Sequence, residues 1–362
     1  MAESRISGPV SAKIANMGFV CALLVVFIHV ERVPQVVGSV EWMAYYFIRY
    51  VLAVAAVPFF FLVSGLFLAQ GADGPGWWRR AMAKRLRTLG VPYFVWCLVP
   101  ALAFGLLAPG SELGGICSRV PLRASSIAAA FGFNLFTVPE ANRPLWYVRS
   151  LFLLMLASPL LVRSLRKAGA WFLLAVLGIY WSVNSWSLDA PTWWLSVRWR
   201  MVWTFGFPVE GLFYFCVGLY LGEHPLALRR RTGIGLGIAG LLTGLAGMGV
   251  RMAGGSDYGY LTLATIPLVL LLLWEVTPSV RWPAGAVGHA FALYVIHPLF
   301  IRALGIGGVL PSVPGCFVLE AALAVVLSIL SAVLLDRLAP RLASIVFGGR
   351  SPSRADRVRS HL

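Results

Sequence analysis

Charge is scarce in this chain, and negative charge most of all. Only 12% of the 362 residues are charged, and 14 Asp and Glu stand against 30 Lys and Arg. A soluble domain carries about 25% charged residues, so a water-facing surface cannot be built from this composition. Cysteine is also sparse: there are 5, none in a Cys-x-x-Cys pair, which removes the usual zinc and thiol-redox signatures. Runs of alternating polar and apolar residues are missing, which excludes a transmembrane barrel. Internal repeats are missing too, and no segment is polar enough to form an extramembrane domain. No small-residue cleavage pattern follows the first apolar run, so that run reads as a retained span rather than a signal peptide.

Long apolar stretches take the place of all this. The chain is 59% hydrophobic with a mean hydropathy of +0.81. We count ten runs, at roughly 13–30, 48–70, 89–108, 144–162, 169–187, 206–222, 233–250, 258–276, 286–304 and 315–336. Each is about 17–23 residues, the length a lipid core of about 30 Å requires at 1.5 Å per residue. The expected fold class is therefore an all-α, multi-pass integral membrane protein with about ten transmembrane helices. The stretch 125–138 is too short and too rich in Ser, Ala and Gly to span, and reads as a re-entrant or interfacial piece.

Charge sets the expected orientation. With the N-terminus in the cytoplasm, the inside segments hold 20 of the 30 Lys and Arg, including the run WWRRAMAKRLR and the C-terminal GGRSPSRADRVRSHL. The bias predicts both termini cytoplasmic. Residues 1–12 and 339–362 are expected as cytoplasmic segments flanking a membrane domain at 13–338, the latter a mobile basic tail. A net charge of +16 would suggest nucleic acid in a soluble protein; here it reads as loops at an anionic membrane surface, with no nucleic-acid partner. Cys21, Cys97 and Cys216 fall in apolar runs and read as small core residues. Cys117 and Cys316 fall in loops on one predicted side, which allows a disulfide.

Ionisable residues inside spans are expensive in lipid and are functional candidates by default. Four stand out: His29 closing the first span, Arg149 one to two turns into the fourth, Glu210 opening the sixth and His297 in the ninth. The alternating span directions place all four in the outer half of the membrane, where a base, a cation and a carboxylate could share one site. Against this, Arg149 and Glu210 read equally well as snorkelling to the headgroups. Histidine is too short to do so and transfers protons near neutral pH. In VPFFFLVSGLFLA (57–69), Pro58 predicts a kink. Ser64 and Gly65 leave room for a neighbouring helix or a ligand chain. Depth puts Ser64 in the inner half, away from His29, so it reads as a packing or channel residue rather than a nucleophile. Lys84, Arg85 and Arg87 form a basic stretch before the third span. Positive-inside topology accounts for it, and Arg forks also suit the phosphates of a cytosolic donor.

Six segments occur in the order seen in one family: LLVVFIHV, VPFFFLVSGLFL, KRLRTLGVPYFVW, PLWYVRSLFLLMLASPLL, FYFCVGLYLG and FALYVIHPLF. Over about residues 13–304 the chain resembles the acyltransferase-3 family of ten-span membrane acyltransferases. The resemblance implies transfer of an acyl group, usually acetyl, from cytosolic acyl-CoA to a hydroxyl of an extracytoplasmic or lipid-linked acceptor, usually a cell-surface glycan. It implies residence in the cell membrane, with membrane lipid as surroundings and no metal. His29 matches the family's proposed catalytic residue, and Lys84, Arg85 and Arg87 match the stretch near the CoA phosphates. Two departures are visible. Gly18 stands where many members carry an arginine eleven residues before the histidine. Trp146–Tyr147–Val148–Arg149–Ser150 replaces the usual Trp-Phe-x-Arg-Asp.

The expected chemistry is O-acyl transfer with His29 as general base, Glu210 or His297 orienting it, and Arg149 holding an acidic acceptor or the developing oxyanion. Ser64 and Gly65 would flank the donor's path. Two other classes stay open: a transporter or flippase of a lipid or glycan, which would also need many spans and a kinked helix, and a non-catalytic acyltransferase-like partner, which Gly18 keeps open. An oligomer is compatible with either.

Overall fold

Ser39 starts a helix eight residues earlier than hydropathy suggests. Its hydroxyl accepts the Trp42 amide at 3.1 Å, the usual N-cap arrangement, and Glu41 follows in the first turn. In this computed structural model, which describes residues 6–107, 140–185, 209–225, 228–255, 260–306 and 315–349, the chain is helical and has no strand among those residues. We number the helices α1 (Gly8–His29), α2 (Val40–Ala69), α3 (Trp77–Arg85), α4 (Val91–Leu107), α5 (Trp146–Ala168) and α6 (Ala170–Ser185). They continue with α7 (Val209–Glu223), α8 (Arg230–Met252), α9 (Tyr260–Val276), α10 (Ala290–Ile306), α11 (Cys316–Leu338) and α12 (Pro340–Val346).

Among the described residues, five helices are long and apolar enough to cross a bilayer: α1, α2, the Asn142–Ala168 helix that contains α5, α8 and α11. Shorter apolar helices at Ala170–Ser182, Gly211–Glu223, Leu261–Val276 and Ala290–Gly305 pack among them. The faces of α8 and α11 turned outward carry exposed Leu242, Leu330 and Leu334. Lipid accepts such faces and water does not. The stretch 125–138, and Cys117 of the suggested disulfide, lie outside the described residues, while Cys316 is buried at the start of α11. Cys21, Cys97 and Cys216 are fully buried core residues.

Pro58 lacks the N–H that would close the turn before it. The helix accommodates this upstream, with a widened π turn at Phe47–Leu52 followed by a tightened 3-10 turn at Ala53–Ala55. Beyond the proline, α2 lies against α7 at backbone contact distance. A Cβ on Gly65 would sit 2.1 Å from the Phe215 carbonyl oxygen, and one on Gly218 would sit 1.8 Å from that of Leu62. Glycine is the residue that permits this approach. A comparable stripe, Gly237, Gly240 and Gly244, seats α8 on Leu272 and Leu268 of α9 and on Val51 of α2.

α1 runs through the middle, packed on α10, α2 and α11. Met17, Cys21 and Val25 on one face join Phe59 and Phe61 of α2 and Met155 of α5 in the main core. Asn16 anchors the first half of α1: its side-chain amide donates to the carbonyls of Pro278 at 3.0 Å and Val280 at 2.7 Å, and its oxygen accepts the Trp282 amide at 3.1 Å. Three satisfied bonds explain why a fully buried amide is tolerated there.

The first part of the segment expected as a tail is folded. Pro340–Val346 forms α12 and folds back on α4: Trp96 Nε1 donates to the Val346 carbonyl at 3.0 Å, and the Trp96 and Phe347 rings stack at 6.0 Å. The apolar residues Ala343, Val346 and Phe347 are buried by this docking, a gain that composition alone does not reveal. Residues from 350 on lie outside the described residues.

Candidate active site

α1 ends at His29 because Val30 turns to an extended conformation (φ −57°, ψ 138°). The next two amides, of Glu31 and Arg32, are both captured at 3.0 Å by one carboxylate oxygen of Glu320, a fully buried residue of α11. Glu320 thus clamps the chain immediately after the histidine. Its other oxygen is without a partner. Glu320→Ala should leave both amides unsatisfied and destabilise the fold by about 1–3 kcal/mol. Glu320→Gln retains an acceptor oxygen and should recover most of that loss in thermal unfolding and in activity.

His29 meets a second histidine. Its Nδ1 lies 2.8 Å from the Val25 carbonyl oxygen and 3.4 Å from Nε2 of His297, with ring centroids 5.2 Å apart. Nδ1 of His297 in turn lies 3.0 Å from the Leu293 carbonyl. A carbonyl only accepts, so each Nδ1 facing one is assigned the proton. His297 then offers its Nε2 lone pair to the His29 Nδ1–H. The Nε2 of His29 keeps its own lone pair as the base atom. His297 is fully buried, whereas His29 is part-exposed to a cavity of about 200 Å³ lined also by Arg49, Arg143, Arg302, Glu31 and Pro144.

A second cavity, of about 320 Å³, lies at the other half of α1. Its wall includes Gly18, Ser64, Arg85, Tyr147 and Tyr294 among apolar residues. Gly18 and His29 are eleven residues apart on one helix, about 16 Å along its axis. The two spaces come together at α10: Tyr294 lines the Gly18 cavity, and its hydroxyl donates to the carbonyl of Pro144, which lines the His29 cavity. His297 follows Tyr294 by three residues on the same helix. The partition is therefore polar, and the histidine pair stands beside it.

The other expected residues are placed as follows. Ser64 lies on the Gly18 cavity with its hydroxyl 3.3 Å from that of Tyr147. Gly65 faces the opposite way, against α7, and its missing side chain serves helix packing. Arg85 is on the cavity wall; burial lowers its pKa below the ordinary guanidinium value, and the nearby Tyr147 hydroxyl acts in the opposite sense. Lys84 and Arg87 are exposed on α3 and the turn after it. Arg149 is 2% exposed, its Nε and Nη1 have no hydrogen-bond partner, it interacts electrostatically with Tyr93, and it lines neither cavity. The backbone of Glu210 is in the first turn of α7, and its side chain lies outside the described residues.

Residues not singled out from sequence complete the site. Glu320 was detectable as an ionisable residue inside an apolar run. Arg49 and Arg302 were detectable in the same way, near the ends of predicted spans, whereas Tyr294 and Arg143 carried no local signal. Gly18 has room: a Cβ there would meet Phe59 Cε1 at 3.9 Å and nothing nearer. Gly18→Ala should accordingly leave thermal stability within about 0.5 kcal/mol of wild type; a larger loss would mean the space is not open.

The family model described as an acyltransferase domain matches residues 16–337, from within α1 to near the end of α11. No curated protein and no solved structure matches the chain. With His29, His297 and nearly all of the residues that line the two cavities inside the matched segment, the chain belongs to the acyltransferase-3 family of membrane proteins.

Proposed function

We propose that this chain is a membrane O-acyltransferase that takes an acetyl group from cytosolic acyl-CoA and delivers it to a hydroxyl of an extracytoplasmic or lipid-linked acceptor, a cell-surface glycan. The observation that carries the reading is the His29–His297 pair, with His29 lining one cavity whose wall is tied by the Tyr294–Pro144 hydrogen bond to the wall of the other. The Gly18 cavity admits the acyl thioester, with Arg85 on its wall and the exposed Lys84 and Arg87 next to it in the chain for the CoA phosphates. The His29 cavity receives the acceptor.

In the reaction, Nε2 of His29 takes the proton of the acceptor hydroxyl as its oxygen attacks the thioester carbonyl carbon. The His29 Nδ1–H, shared between the Val25 carbonyl and His297 Nε2, stabilises the imidazolium that forms. When the tetrahedral intermediate collapses, the carbon–sulfur bond breaks and the imidazolium returns its proton to the leaving thiolate. The products are the acyl ester and free CoA. The apolar walls raise the strength of each polar contact by excluding water.

The test is reconstitution in vesicles with labelled acetyl-CoA and a glycan acceptor. Label should pass to the acceptor in the wild type; full transfer by His29→Ala would sink the reading. Loss of the acetyl mass from surface glycans on deletion of the gene is the expected counterpart in the cell.

A further inference from the structure

The His29 cavity, at the end of α1 where Glu31 and Arg143 are exposed, has an unusual wall for a space bounded by apolar helices. Three arginines reach it from three separate elements: Arg49 from α2, Arg143 just before α5 and Arg302 from α10. All three belong to the minority of basic residues predicted outside, where positive charge is otherwise thin. Chain separations of 94 and 159 residues rule out a local basic run as the cause. Among the described residues lining the cavity, one carboxylate stands with them: Glu31, 3.9 Å from Arg302. Arg49 is braced in place, donating to the Tyr45 hydroxyl at 2.6 Å with its guanidinium over the Tyr45 and Tyr50 rings at 5.5 Å. A guanidinium held by neighbours has less freedom to lose on meeting a ligand. The cavity thus keeps an excess of positive charge beside the base nitrogen of His29.

We propose that the acceptor is anionic: the molecule whose hydroxyl meets His29 carries a carboxylate or phosphate close to that hydroxyl, and Arg49, Arg143 and Arg302 hold it. This rests on the acyl-transfer reading above and narrows its substrate class. An oxyanion seated by charge-assisted bonds to these side chains fixes the acceptor by a group that does not react. The carboxylate of an acidic sugar and the diphosphate of a lipid-linked sugar share this chemistry.

The experiment reads binding apart from turnover. The full chain carrying His29→Ala, in phosphatidylcholine nanodiscs, is titrated with a glucuronate-containing disaccharide, its neutral glucose counterpart and a polyprenyl-diphosphate sugar. At least one of the two anionic probes should bind at least tenfold more tightly than the neutral one. Tight binding of the glucuronate probe assigns the anion to the sugar, and tight binding of the diphosphate probe alone assigns it to the carrier lipid. Arg143→Gln, on an exposed side chain, and Arg302→Gln should each weaken that binding about tenfold while the thermal unfolding midpoint of each variant, measured beside it, stays close to that of the parent. Glu31→Gln should strengthen it, since it removes the competing carboxylate. Equal binding of all three probes would overturn the proposal. So would arginine variants that lose affinity for coenzyme A or for phosphatidylglycerol while keeping that for the anionic saccharides. Anion binding in a chain whose wild type transfers no label from acetyl-CoA would refute the transferase reading and leave the anion site standing.

Discussion

His29→Ala is expected to lower acyl transfer by a factor of about 10²–10⁴, the usual contribution of a positioned general base, while the thermal unfolding midpoint stays close to that of wild type. The second half of this expectation follows from position. His29 is the last residue of α1, part-exposed to a cavity, and its ring bonds are to its own helix and to His297. The clamp that holds the following chain is made by backbone amides to Glu320 and does not involve the imidazole. Truncation therefore removes the base without releasing the strand behind it. His297 should behave differently. It is fully buried and touches no cavity, so it positions rather than reacts. His297→Gln should lower kcat more than it raises KM and shift the acidic limb of the pH–rate profile, since it changes the partner of the His29 Nδ1–H. A purely structural role would move the unfolding midpoint and leave that limb in place. Single-turnover transfer of labelled acetyl, read beside thermal unfolding of both variants, separates these outcomes.

Gly218→Ala is expected to have the largest effect on stability of any single methyl added to the chain. The new Cβ would lie 1.8 Å from the Leu62 carbonyl oxygen and 2.9 Å from the Leu66 amide nitrogen. Both are backbone atoms of a helix, so no side-chain rotation relieves the clash; α2 and α7 must move apart. A loss of 3 kcal/mol or more is expected, in the range that marks disrupted core packing. Gly65→Ala, 2.1 Å from the Phe215 carbonyl oxygen, should act similarly from the other side. The pair also discriminates packing from ligand approach. If Gly65 mattered as a lining residue of the donor's path, Gly65→Ala would lower activity with the fold intact. The geometry instead predicts that detergent-solubilised protein shows a lower unfolding midpoint first, and that any activity loss follows it. Ser64→Ala, which removes one hydroxyl from the Gly18 cavity and its 3.3 Å contact with Tyr147, should leave the midpoint nearly unchanged.

Helical class, membrane residence, the candidacy of His29 and of His297, and family membership were all legible along the chain. The physical reason is that lipid offers no hydrogen bonds. Each span must satisfy its backbone within itself and show an apolar exterior, so its signal is local and continuous. An imidazole in such a run is conspicuous for the same reason. What the tertiary structure alone decided is which of these residues meet. His29 and His297 are 268 positions apart, and their contact depends on how α1 and α10 are rotated about their axes. Depth in the membrane is shared by many side chains, and rotation selects among them. Arg149 is buried yet lines neither cavity, and Gly65 faces a helix rather than a ligand path, although both were placed at a plausible depth. Glu320 holds the chain after His29 from 289 residues away, and three arginines scattered over α2, α5's approach and α10 converge on one small space. Local pattern reports how a segment lies in the bilayer; only packing sets which faces turn toward one another, and the site is made of those faces.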